Sequence, residues 1–248
     1  MSAPRLARPT AILLVSTILA SCASYTPTSR QVVHIEESKW QVADNVAAAA
    51  DAYLEAERQK TVFDADLTEA NVIAIQLAVE NKGAKTMLVR NSDVQLVLAD
   101  GRSFAPSGVH TTVARVGESG SVVGAGLAFG LIGVLVASNA ESKARIARTA
   151  DYSEKAFTDT YLANGERGDG VVFFIPSTPV CKIDGATLKV RFVEADTAKS
   201  MVIDVPLPSG PYGKEVEVTE NAATNPNSRS DSSVPEAAES SGSKCAAL

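Results

Sequence analysis

The sequence predicts a mainly β protein: an antiparallel two-sheet β-sandwich with a leading helix and an inserted helical hairpin. Three observations lead there. Short segments with an apolar residue at every second position recur along 71–207, separated by turn dipeptides. Ahead of them runs an apolar stripe at three- and four-residue steps. Between the strands lies an uncharged, glycine-rich stretch followed by an amphipathic one.

The first residues fall into three zones. Arg5 and Arg8 give a positive start, and no acid occurs before Glu36. Residues 10–20 are mostly apolar but too short for a membrane span, which needs about 20 such residues. Leu19-Ala20-Ser21-Cys22 follows. This resembles the lipobox of type II signal peptides: a branched apolar residue, two small ones, then cysteine. Small residues let the backbone enter a peptidase cleft, and the thiol takes up diacylglycerol. The resemblance implies cleavage of residues 1–21 as a signal peptide and a membrane anchor of lipid, palmitate among its acyl chains, on Cys22. In such lipoproteins an Asp after the cysteine signals retention in the inner membrane. Ala23 stands there instead, which points to the outer membrane, with the domain facing the periplasm.

Residues 22–37 read as anchor and tether. Residues 38–60 read as a helix, because Ser38 and Gln41 form a capping-box pattern and Trp40, Ala43, Val46, Ala47, Ala50, Tyr53 and Leu54 share one face. Alanines 47–50 add helix propensity. The sandwich is expected over 61–207. Ile73, Ile75, Leu77 and Val79 alternate with smaller or polar residues, as do Val94, Leu96 and Leu98. Asp100-Gly101 and Asp184-Gly185 mark tight turns. Residues 171–176 form a continuous apolar run, and alternation returns at Leu188, Val190 and Phe192 and at Met201, Ile203, Val205 and Leu207.

A strand ending in Glu80-Asn81-Lys82-Gly83, another ending in Asp100-Gly101, and Gly165-Glu166 leading through Gly170 into Val171-Val172-Phe173-Phe174 resemble the immunoglobulin-like sandwich modules of bacterial envelope lipoproteins. The resemblance implies fold rather than activity.

The insert, 119–157, departs from that pattern. Residues 119–140 carry no charge. Gly120, Gly124 and Ala128 recur at every fourth position, with Gly126 and Gly130 in a second register, a spacing that lets helix backbones pack closely and is similar to a glycine zipper. Three readings stay open: a helix buried on the sandwich, a membrane-active helix, or the face of a homo-oligomer. As a helix the stretch would be about 33 Å long, enough for a bilayer core. Residues 141–157 follow as an amphipathic helix with Lys143, Arg145 and Arg148, suited to anionic head groups or to plain solvation. Residues 208–248 lack an apolar period and read as a disordered tail.

Without the leader the chain holds 21 basic and 29 acidic residues, which argues against nucleic acid as a partner. With Cys22 lipidated, Cys181 and Cys245 remain to pair or stay free. Catalytic signals are weak throughout. His34 and His110 lie far apart, and no Gly-x-Ser-x-Gly elbow occurs. Gly124-Ala125-Gly126 lacks the third glycine at the dinucleotide spacing. Asp64, Asp66 and Glu69 cluster before the first strand, as a cation site or a solvated linker, and Asp93 and Asp100 suit turns. The expectation is therefore a non-enzymatic, cofactor-free structural or interaction module contacting an envelope protein. A membrane-active or oligomeric assembly through 120–137 is the alternative, and a hydrolase the remote one.

Overall fold

The structure, a computed structural model, describes residues 25–28, 35–36, 39–119 and 142–210. The lipobox residues Leu19, Ala20, Ser21 and Cys22 lie outside the described residues, as do Gly120, Gly124, Gly126, Ala128, Gly130 and the tail beyond 210.

The fold is mainly β, built from antiparallel sheets packed as a sandwich. One sheet has the order β1 (Gln41–Ala43), β2 (Val46–Ala52), β3 (Ile73–Asn81), β8 (Arg167–Phe174). The second is built on β9 (Thr187–Glu194). β10 (Ser200–Pro206) pairs along β9, while β5 (Val94–Val97) and β4 (Met87–Val89) pair in turn with its two halves. The short β6 (Ser103–Phe104) lies beside β5, and β7 (Thr160–Leu162) beside β4.

Two apolar layers follow from the strand period. Ile73, Ile75, Leu77 and Val79 of β3 face the second sheet, together with Val172 and Phe174 of β8 and Leu188, Val190 and Phe192 of β9. The opposite face of the first sheet is buried too. Ala74 of β3 and Val171 and Phe173 of β8 pack there against α1 (Ala56–Phe63), α2 (Val109–Ser119) and the helix 142–155, called α3. This explains the continuous apolar run at 171–175: the strand is covered on both sides.

The leading helix over 38–60 is corrected by the structure. Residues 41–52 form the β1–β2 hairpin, and helix begins only at Ala56. The sandwich therefore starts at 41 rather than 61. Asp44 and Asn45 turn the hairpin with φ of 44° and 65°, the left-handed pair that a tight antiparallel turn demands. Val46, Ala48, Ala50 and Ala52 face the sandwich core, while Ala47 and Ala49 are buried on the other side. A strand this closely covered on both faces has room for alanine, so packing overrides helix propensity.

The helical insertion does lie between β6 and β7, but it begins ten residues early, with α2 at Val109. Val113 and Val116 anchor α2 in the outer apolar layer. The predicted second arm, 141–157, is present as α3.

Asn81 ties the two sheets together. Its Nδ2 donates to Lys85 O (2.7 Å) and Leu162 O (2.8 Å), and its Oδ1 accepts from Gly83 N (2.9 Å). Gly165 N donates to Asn81 O (2.7 Å) and Asn81 N to Glu166 O (3.0 Å). Two of the sequence pieces behind the sandwich resemblance thus meet in space.

Candidate functional site

The most unusual chemistry among the described residues sits in the outer layer, where α3 packs on the first sheet. Tyr53, Phe63, Tyr152 and Phe173 form an aromatic cluster: Phe63 meets Tyr53, Tyr152 and Phe173 edge-on at 5.1–5.7 Å between ring centres, and Tyr152 stacks on Phe173 at 5.6 Å. Beside it Lys155 and Asp151, one turn apart on α3, form an ion pair that is 3 % and 5 % exposed respectively.

Burying two charges is costly unless every donor and acceptor finds a partner. Here the partners are supplied. The Lys155 ammonium donates to Asp151 Oδ2 (2.5 Å), Thr28 Oγ1 (2.7 Å) and Val62 O (2.8 Å), using all three protons. Asp151 also accepts from the Tyr25 hydroxyl. Thr28 Oγ1 in turn donates to Val62 O (2.5 Å). The Arg148 guanidinium lies 4.8 Å from the Tyr25 ring centre, in cation–π contact. Thr26 N donates to Asp64 Oδ2 (3.3 Å), just past the end of α1. Burial, and then the Asp151 carboxylate, raise the pKa of the Tyr25 phenol well above its usual value. Burial raises that of Tyr152 too. Both rings therefore stay protonated as donors, with Tyr152 OH bonded to Phe63 O (3.1 Å).

The stretch expected to hang as a tether is thus locked into the fold at Tyr25, Thr26 and Thr28. The sequence offered no signal for this. Tyr25 and Thr28 look like ordinary linker residues, and their partners lie more than thirty positions away.

The other candidates resolve into structural parts. Asp66 caps a turn by accepting from Thr68 N (3.1 Å) and the Thr68 hydroxyl. Asp64 is taken up by Thr26, so the acidic cluster is not gathered into a cation site. Among the described residues no three His, Cys, Asp or Glu groups converge for a metal. Asp100 accepts from Arg102 N (2.9 Å) and Nε (2.7 Å), which hold its carboxyl below the usual carboxylate range. Asp93 lies 3.8 Å from Arg90. His110 is exposed on α2. Cys181 is disulfide-bonded. A cleft of about 210 Å³ opens beside Asn91, Ser107, Gly108 and Phe157, and no titratable side chain lines it. No described helix is long and apolar enough to cross a membrane.

No family model and no curated protein matches the chain. Among solved structures, it is similar to the "putative lipoprotein (ycdA)" of Bacillus subtilis at 10% identity and a TM-score of 0.33, over 68% of this chain and 38% of that one. It therefore spans well under half the length of that protein. It is also similar to the yjhA protein of Bacillus subtilis at 10% identity and a TM-score of 0.34, over 67% of this chain and 95% of that one.

Proposed function

We propose that the protein is a non-catalytic module of the cell envelope, held on a membrane by lipid on Cys22 and acting through contacts with another envelope protein. The observation that carries this reading is the docking of Tyr25, Thr26 and Thr28 onto α1 and α3. A lipid on Cys22 is then joined to a folded domain through Ala23 and Ser24, not through a long leash. Anchor and domain act as one body, which suits a part that must sit at a fixed height and angle on its membrane. The acidic surface of the domain fits a protein partner better than a nucleic acid.

One sulfur cannot hold both a diacylglyceryl thioether and a disulfide. On this reading Cys22 is lipidated, and the disulfide of Cys181 uses Cys245, the other cysteine of the chain. Mass spectrometry of the mature protein, with peptide mapping under non-reducing conditions, tests both halves. An acylated Cys22 and a Cys181–Cys245 peptide are expected. A Cys22–Cys181 peptide, or a chain that keeps residues 1–21, overturns the reading. Crosslinking in cells with the Cys22→Ala variant as control then identifies the envelope partner.

A further inference from the structure

We infer that the N-terminal half of α3 is a membrane-facing surface, with Lys143, Arg145 and Ile146 resting on anionic lipid head groups. The inference rests on the lipid anchoring proposed above and adds the face that the domain turns to the bilayer.

The direction of the docked segment sets the geometry. Thr28 lies beside Lys155, near the end of α3. Tyr25 reaches Asp151 and places its ring against Arg148, two turns closer to the start of α3. The chain followed back towards Cys22 is therefore heading for the N-terminal turn of α3. Only Ala23 and Ser24 separate Tyr25 from Cys22, and the three Cα–Cα steps reach about 11 Å at most. Along α3, Arg148 and Lys143 are only about 8 Å apart at the helical rise. The interfacial layer of a bilayer is itself about 6 Å deep on each side. A lipid on Cys22 thus holds Tyr25, and the Arg148 turn of α3 against it, within about 11 Å of the bilayer boundary, and the N-terminal end of α3 is the part of the helix next to that turn.

What α3 exposes there matches such a surface. Lys143 and Arg145 are exposed, and Ile146 is 70% exposed, one of few large apolar side chains left to solvent among the described residues. Two cations around an exposed isoleucine suit the head-group boundary, with the apolar side chain dipping in and the cations meeting phosphate. The domain is otherwise acidic, so an anionic bilayer repels its other faces and favours this one.

The test uses the full mature lipoprotein in vesicles of phosphatidylglycerol and phosphatidylethanolamine that include brominated lipid. Tryptophan is placed by Ile146→Trp or, on an exposed position of β10, by Val202→Trp, with the native Trp40 as a shared background. Bromine quenches nearby indole. At least threefold stronger quenching of the Ile146→Trp emission is expected, falling when Lys143→Gln and Arg145→Gln are added. Equal quenching of the two variants, in protein that still floats with the vesicles, overturns the inference and leaves the anchor standing. Protein that fails to float overturns the anchor, and this face with it.

Discussion

Gly170 lies so close to Phe157 that a β-carbon on it would stand 2.5 Å from the Phe157 α-carbon and 2.6 Å from its nitrogen. Phe157 N donates to Val171 O (2.9 Å), so the chain leaving α3 is fastened to β8 at this point. Backbone cannot move aside as a flexible side chain can. Gly170→Ala is expected to lower stability by about 2 kcal/mol or more through overpacking, read as a lower urea midpoint. An unchanged midpoint would show that the contact is looser than it stands here.

Lys155 and Asp151 stabilise the fold only as a pair. Lys155→Met leaves a buried carboxylate without its cation and should cost about 3–5 kcal/mol. Adding Asp151→Leu to it should recover most of that loss, because no stranded charge remains. Denaturant curves of the two single variants and the double one form the cycle. Additive losses would argue that the pair does not couple.

Tyr25→Phe removes one hydrogen bond to a buried carboxylate while keeping the ring against Arg148. A loss of about 2 kcal/mol is expected. Faster proteolytic cleavage within 22–37 should accompany it, since the docked segment is released. Unaltered cleavage would mean that Thr26 and Thr28 hold the segment by themselves.

Glu194 titrates in a direction that the geometry fixes. The ammonium of Lys85 (2.7 Å) and then the hydroxyl of Thr197 (2.5 Å) hold its carboxyl below the usual carboxylate range. A carboxyl depressed in the fold adds stability that is complete above its unfolded value, about pH 4.3, and is lost as pH falls through the folded one. Glu194→Gln should therefore flatten the decline in stability between about pH 5 and pH 3. Parallel pH profiles for the two proteins would contradict this.

Asn81→Ala should destabilise by about 3 kcal/mol, because Lys85 O, Leu162 O and Gly83 N all lose their partner at the junction of the two sheets. Asn81→Asp keeps the acceptor for Gly83 N but donates to neither carbonyl, so it should rescue little. A stable Asn81→Asp variant would show that the turn, not the junction, is what Asn81 secures.

Much of the sandwich was legible because its strands declare a period. Ile73 to Val79 alternates as written, and Gly101 and Gly185 adopt φ of 86° and 68° in the turns that Asp100-Gly101 and Asp184-Gly185 announce. The β1–β2 hairpin was not legible, because alanine favours helices when nothing else acts on it. Its strand identity came from neighbours on both faces, which a local pattern does not contain. One signal was present: Asp44-Asn45 is a pair that tolerates left-handed backbone. α2 carried a signal as well, in Val109, Val113 and Val116 at four- and three-residue steps. The docked segment carried none. A tyrosine hydroxyl that reaches a carboxylate 126 positions away leaves no trace in spacing.

The first sheet is sheathed on both flanks, and this orders how the molecule opens. Along residues 73–77 of β3 and 171–174 of β8 both faces are covered by apolar layers, so water reaches neither face there without a large part of the fold coming apart. Their amides, from Ile73 to Leu77 and from Val171 to Phe174, should be the last to trade hydrogen for deuterium. The borders at β1 and β7, with Val42 and Tyr161 already in contact with solvent, should trade first. The rigid centre of the protein is thus a pair of strands rather than the sandwich as a whole.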